Sequence, residues 1–83
     1  LNTRPPLRTS IVVELKKGRA NDVVVGQVLR YMGYVKDQIA EEDQVVEGAI
    51  IAFEDDQRLK WALMLVPSIT FYRYQVSFKL VRG

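Results

Sequence analysis

The sequence predicts a small α/β domain: a mixed β-sheet in strand-helix-strand-helix-strand order, with helices packed on it. Three observations predict it. The β-branched run Ile11-Val12-Val13 marks a strand, apolar residues at helical spacing from Val24 to Ile39 mark a long helix, and Gly48-Ala49-Ile50-Ile51-Ala52 marks a second strand. A strand-helix-strand crossover makes its two strands parallel. The 83 residues hold one domain with a single core, with no internal linker or repeat.

The first strand is expected over residues 10–16, buried on both faces as a β-branched run implies, and broken by Gly18. Asn21 is a good N-cap and Asp22 suits the positive end of a helix that runs to about residue 41. Val24, Val28, Tyr31, Met32, Val35 and Ile39 form its apolar face. Gly26 and Gly33 lie two turns apart, and each costs about 1 kcal/mol against Ala. They read as places of close packing against the sheet or a ligand.

The second strand is expected over residues 46–53. Asp55 or Asp56 then caps a helix carrying Leu59, Ala62, Leu63 and Val66, which Pro67 ends. A last strand is expected over residues 69–81. Tyr72, Tyr74, Val76, Phe78 and Leu80 alternate there with Arg73, Gln75, Ser77 and Lys79, as in an edge strand covered on one side.

Composition narrows the chemistry. Without Cys there is no disulfide and no thiolate zinc site, and without His there is no Ser-His-Asp triad and no imidazole ligand. A metal here would need oxygen ligands, which favours Mg²⁺ or Mn²⁺. No apolar run approaches the roughly 20 residues of a membrane span. The start has neither an initiator Met nor a signal-peptide pattern and reads as having residues upstream; a cytoplasmic location is compatible with this composition. Net charge is only +2, but Arg4, Arg8, Lys16, Lys17 and Arg19 crowd the first 20 residues, where Glu14 is the only acid. Such a segment attracts phosphate, although a solvated charged surface has the same composition.

The triplet Glu14-Leu15-Lys16 is the candidate for chemistry. Residues i and i+2 of a strand share a face, so the carboxylate and the ammonium project together, about 7 Å apart along the chain, with the Leu15 carbonyl between them. A carboxylate and a carbonyl hold a hard cation, and a lysine orients water or stabilises phosphate charge. By itself the triplet is equally a surface ion pair worth under about 1 kcal/mol. Its place at the carboxyl end of a hydrophobic strand raises it. So does the following helix, where Gln27 and Tyr31 are neighbours at i and i+4 and Arg30 and Tyr34 lie beside them. For the two tyrosines, packing is the plainer role; a Gln among valines needs partners if buried.

The runs Glu14-Leu15-Lys16-Lys17-Gly18-Arg19-Ala20 and Val24-Val25-Gly26-Gln27-Val28-Leu29-Arg30-Tyr31-Met32-Gly33 resemble the PD-(D/E)xK nuclease superfamily, in its NucS-like branch. That branch places a Glu-x-Lys strand before a helix bearing Gln-x-x-x-Tyr, and the likeness covers roughly residues 11–80. It implies a restriction-endonuclease-like core and a metal-dependent endodeoxyribonuclease using Mg²⁺ or Mn²⁺. By the same resemblance Glu14 and the Leu15 carbonyl would be metal ligands, Lys16 the catalytic lysine, and Gln27 a contact to the water or the metal site. Lys17, Arg19, Arg30 and Tyr31 would support the site or touch DNA phosphates.

One departure matters. The family's first acidic ligand, an Asp on the preceding strand, has no match, because no acid precedes Glu14. A single carboxylate holds Mg²⁺ poorly, so these residues alone are expected to be weak or inactive in cleavage. The alternatives are a degenerate module that binds nucleic acid without cutting it, and a protein-interaction module. The latter would pair through an exposed strand edge, as in a homodimer formed by edge pairing or strand exchange.

Overall fold

The computed structural model describes residues 8–83. The elements are β1 (Thr9–Ala20), α1 (Val23–Gln38), β2 (Val45–Asp55), α2 (Gln57–Met64) and β3 (Ile69–Arg73). The strands form one sheet in the order β1-β2-β3, and both pairings are parallel. The expected mixed sheet is therefore corrected: among the described residues it is parallel throughout. Each connection is a helical crossover that returns the chain to the starting end of the sheet, which leaves no hairpin to reverse a strand.

β1 continues through Gly18 rather than ending there. The register slips between Lys16 and Arg19, where three steps of β1 match two of β2. An extra residue accommodated in this way is a β-bulge, which bends the strand without terminating it.

The start of α1 is fixed by Asn21, whose Oδ1 accepts from the Val23 amide at 3.0 Å. Asp22 makes no side-chain cap bond. At α2, Asp56 caps, its Oδ1 accepting from the Leu59 amide at 2.8 Å. α1 stops at Gln38, short of residue 41, and α2 at Met64, before Pro67 can act.

Both helices pack on one face of the sheet. Val24, Val25, Val28 and Met32 of α1 meet Leu59 of α2 over Ile50 and Ala52 of β2 and Ile69 of β3. Ile50, Leu59, Val24 and Val28 are almost fully buried, and each stabilises the fold by about 1.5–3 kcal/mol relative to exposure. Tyr31 and Ile39, expected on this apolar face, lie outside it and are exposed.

The glycines trade roles. A Cβ on Gly26 or Gly33 would meet nothing within 4 Å, so neither is a close-packing site. Gly48 is: a Cβ there would lie 2.7 Å from Val28 Cγ1, 2.9 Å from Met32 Sδ and 3.1 Å from Ile69 Cγ1. The side chains of Val28, Met32 and Ile69 occupy the space that a Cβ there would take.

The opposite face is bare among the described residues. β1 does not lie buried on both sides; Ile11, Val13 and Leu15 are 55–64% exposed, while Val12 packs on the core. The register sets Leu15 beside Ile51 and Tyr72, and Val13 beside Ala49 and Thr70. A second correction concerns the last strand. β3 has only five residues, and residues 74–83 form neither helix nor strand.

Candidate functional site

The strand-end position of Glu14 and Lys16 brings them to the helix-covered side of β1, where both are part-buried. Lys16 Nζ lies 3.5 Å from Glu14 Oε1. Alternation puts the Leu15 side chain on the other, bare face. The triplet therefore presents its two charges to one side, and only the backbone of Leu15 is available between them.

Beyond Lys16, between the end of β1 and the start of α1, lies a half-open cavity of about 240 Å³. Lys16, Arg19, Ala20, Asn21, Val23, Val24 and Gln27 line it. A water occupies about 30 Å³ of liquid, so the cavity is large enough for a phosphate group and several waters. Lys16 and Gln27, eleven positions apart in sequence, thus line the same cavity. Gln27 needs no partner inside the protein, because it is only half-buried and faces this opening.

The lining holds two cations, Lys16 and Arg19, each already paired with a carboxylate, Glu14 and Glu54. The N-terminus of a 16-residue helix carries a partial positive charge. Yet its first amides are engaged: Val23 with Asn21 Oδ1, Val24 with Asn21 O at 3.2 Å and Val25 with Asp22 O at 3.1 Å. Direct contacts then fall to side chains, above all the Lys16 ammonium and the Gln27 amide. Arg19 lines the cavity, but its guanidinium is bound to Glu54 Oε2, at 3.0 Å from Nη2 and 3.3 Å from Nε. This pair is exposed, so Arg19 remains free to exchange partners at modest cost.

The other predicted residues spread outward. Lys17 is exposed, and its carbonyl accepts from the Tyr74 hydroxyl at 2.8 Å. Arg30 and Tyr31 are exposed one turn further along α1, with the guanidinium 5.6 Å from the ring centroid, and neither lines the cavity. Sequence reasoning missed Arg73. Lys16 pairs with Ala52 and Ala52 with Arg73, which sets the two cations in one row on the same side of the sheet. At about 4.8 Å per strand they stand roughly 10 Å apart across a small alanine. Nothing in sequence separation signals this; only the parallel register does. Asn21, read as a cap alone, also lines the cavity.

The donor set does not complete a site for Mg²⁺ or Mn²⁺. Glu14 is one carboxylate already paired with Lys16, and no group of three acidic, His or Cys side chains converges among the described residues. The acids at the end of β2 are held elsewhere, Glu54 by Arg19 and Asp55 by Lys60 at 3.7 Å. No described helix is long and apolar enough to cross a membrane. Comparison with protein-family models, curated proteins and solved structures finds no match to this chain.

Proposed function

We propose that the chain is a DNA-phosphodiester-binding domain of the metal-dependent endodeoxyribonuclease type, built on a restriction-endonuclease-like core. The observation that carries the reading is the cavity at the carboxyl end of β1, lined by both Lys16 and Gln27 beside the α1 N-terminus. Its sequence pattern, a Glu-x-Lys strand before a Gln-x-x-x-Tyr helix, resembles the NucS-like nucleases.

In this reading a backbone phosphate enters the cavity. The Lys16 ammonium binds a non-bridging oxygen, and Glu14 holds that ammonium in place from the strand side. The Gln27 amide donates to a second oxygen or to a water beside it. The dipole of α1 adds attraction without spending its own amides. Lys17, Arg30 and Arg73 extend the positive surface along the DNA backbone, and Tyr31 offers a ring at its margin.

Cleavage needs more than these residues hold. A bound Mg²⁺ or Mn²⁺ would supply polarisation of the phosphate and a stronger nucleophile. Glu14 and the Leu15 carbonyl are the groups available to it, and they are too few alone. The described residues thus fit the phosphate-binding wall of a nuclease site, and this favours binding over cutting by the chain itself.

Fluorescence anisotropy with a labelled DNA duplex tests the reading, at 25–200 mM salt as roughly chosen limits, with and without Mg²⁺. Expected is salt-sensitive binding that Lys16→Gln weakens about tenfold, the loss of one charged hydrogen bond. Absence of binding at low salt, or binding indifferent to Lys16, sinks it. Metal-dependent cleavage abolished by Glu14→Gln would instead establish the full nuclease.

A further inference from the structure

The cations of the cavity are neutralised before any phosphate enters. Among the described residues, Lys16 and Arg19 are the two cations that line it, and each is paired with a carboxylate, Glu14 and Glu54. A phosphate therefore gains full charge attraction only where one of these carboxylates gives way.

The two pairs differ in how readily they part. Glu14 and Lys16 lie two positions apart on one strand, so they share a face whatever else the ammonium binds. Their side chains are 28% and 37% exposed. The ammonium has three N–H donors, so it can bind a phosphate oxygen and keep Glu14. Arg19 and Glu54 belong to different strands, β1 and β2, and are 64% and 50% exposed. Arg19 Nε and Nη2 both donate to the single oxygen Oε2 of Glu54, at 3.3 and 3.0 Å. The same planar fork suits two oxygens of one phosphate. An exposed ion pair contributes little to stability, so its exchange is undemanding.

The Glu54 carboxylate has open space on its other side. It also lines a second cavity of about 250 Å³, with Phe53, Arg73, Tyr74 and Gln75. The Arg19–Glu54 pair thus joins residues of two cavities at the carboxyl end of the sheet. A carboxylate left against a bound phosphate would repel it, and a turn into the second cavity separates the two charges.

We infer that Glu54 is an internal competitor for the phosphate cavity. It holds Arg19 before DNA binds. A DNA phosphate then takes its place, Arg19 turning to the phosphate and Glu54 into the second cavity, while Glu14 and Lys16 stay paired. The inference rests on the phosphate-binding reading above and adds to it a contact that restrains affinity.

A double-mutant cycle on the 83-residue chain tests this. Affinity for the labelled duplex is read by anisotropy at about 50 mM salt, for the parent, Arg19→Gln, Glu54→Gln and the double variant. Once Glu54 no longer holds it, Arg19 contributes more to binding. Arg19→Gln is expected to weaken binding about two- to fivefold more in the Glu54→Gln background than in the parent, the range of one exposed ion pair. Glu54→Gln alone tightens binding. Glu42→Gln removes the same charge from the exposed loop between α1 and β2 and tightens it less. Unchanged far-UV circular dichroism shows that the variants fold. Lys16-dependent binding in which Arg19→Gln costs the same in both backgrounds overturns the inference alone. So does a Glu54→Gln protein that binds no tighter than Glu42→Gln. No binding by any protein, or binding indifferent to Lys16, overturns the functional reading and this inference with it.

Discussion

Replacing Gly48 with Ala adds one methyl group at the most crowded point of the core. The new Cβ would sit 2.7 Å from Val28 Cγ1 and 2.9 Å from Met32 Sδ. Met32 can swing its flexible end aside, but Val28 is β-branched, fully buried and held in a helix. Overpacking of this kind costs about 1–3 kcal/mol. The lower backbone entropy of Ala in a strand offsets roughly 0.5–1 kcal/mol of that. Two contacts under 3 Å put this case in the upper half of the overpacking range, so the net loss is about 1–2 kcal/mol, or a Tm fall on the order of 5–15 °C for a domain of this size. The same substitution at Gly26 or Gly33 has the opposite sign. Both are interior to α1 and meet nothing within 4 Å, so each Ala stabilises by about 0.5–1 kcal/mol. Urea denaturation followed by circular dichroism measures all three, with m unchanged if only stability moves. A Gly48→Ala protein as stable as the parent, or a destabilised Gly26→Ala, would refute the packing argument.

Other consequences follow from individual contacts. Asp56→Ala removes the acceptor for the Leu59 amide and should cost about 1 kcal/mol, which thermal denaturation would show. Asn21 divides stability from binding: Asn21→Asp keeps the acceptor for the Val23 amide but puts a negative charge in the cavity. Its Tm should stay near the parent's while DNA affinity falls several-fold in anisotropy; equal losses in both would deny the site. Arg73→Gln should weaken DNA binding uniformly across sequences and lower the salt slope by about one charge. Titrating salt against the parent and the variant checks it. Tyr74→Phe loses the bond to Lys17 O, worth about 0.5–1.5 kcal/mol, visible as a lower urea midpoint.

Local patterns carried much of the fold and some of the site. Caps and period-3.6 spacing located both helices within a few residues, since backbone capping and burial of one stripe act over one or two turns. Strand alternation put Glu14 and Lys16 on a common face, as their ion pair shows. The chain pattern misled where the deciding contact is distant. A β-branched run reads alike whether one face or both are covered, and β1 is covered on one. Alternation over residues 69–81 shows a segment able to form a strand, but pairing needs a neighbour, and only Ile69–Arg73 has one.

The sequence by itself therefore determined the class of the domain, the starts of its helices and the absence of thiol and imidazole chemistry in a chain without Cys or His. Those depend on composition and on interactions within a few residues. Only the tertiary structure decided that Gly48, and neither Gly26 nor Gly33, is the point of close approach. It alone brought Gln27 and Lys16 into the lining of one cavity and set Arg73 in the same row as Lys16. Register and packing fix these relations, and they join residues from separate elements that no local spacing connects.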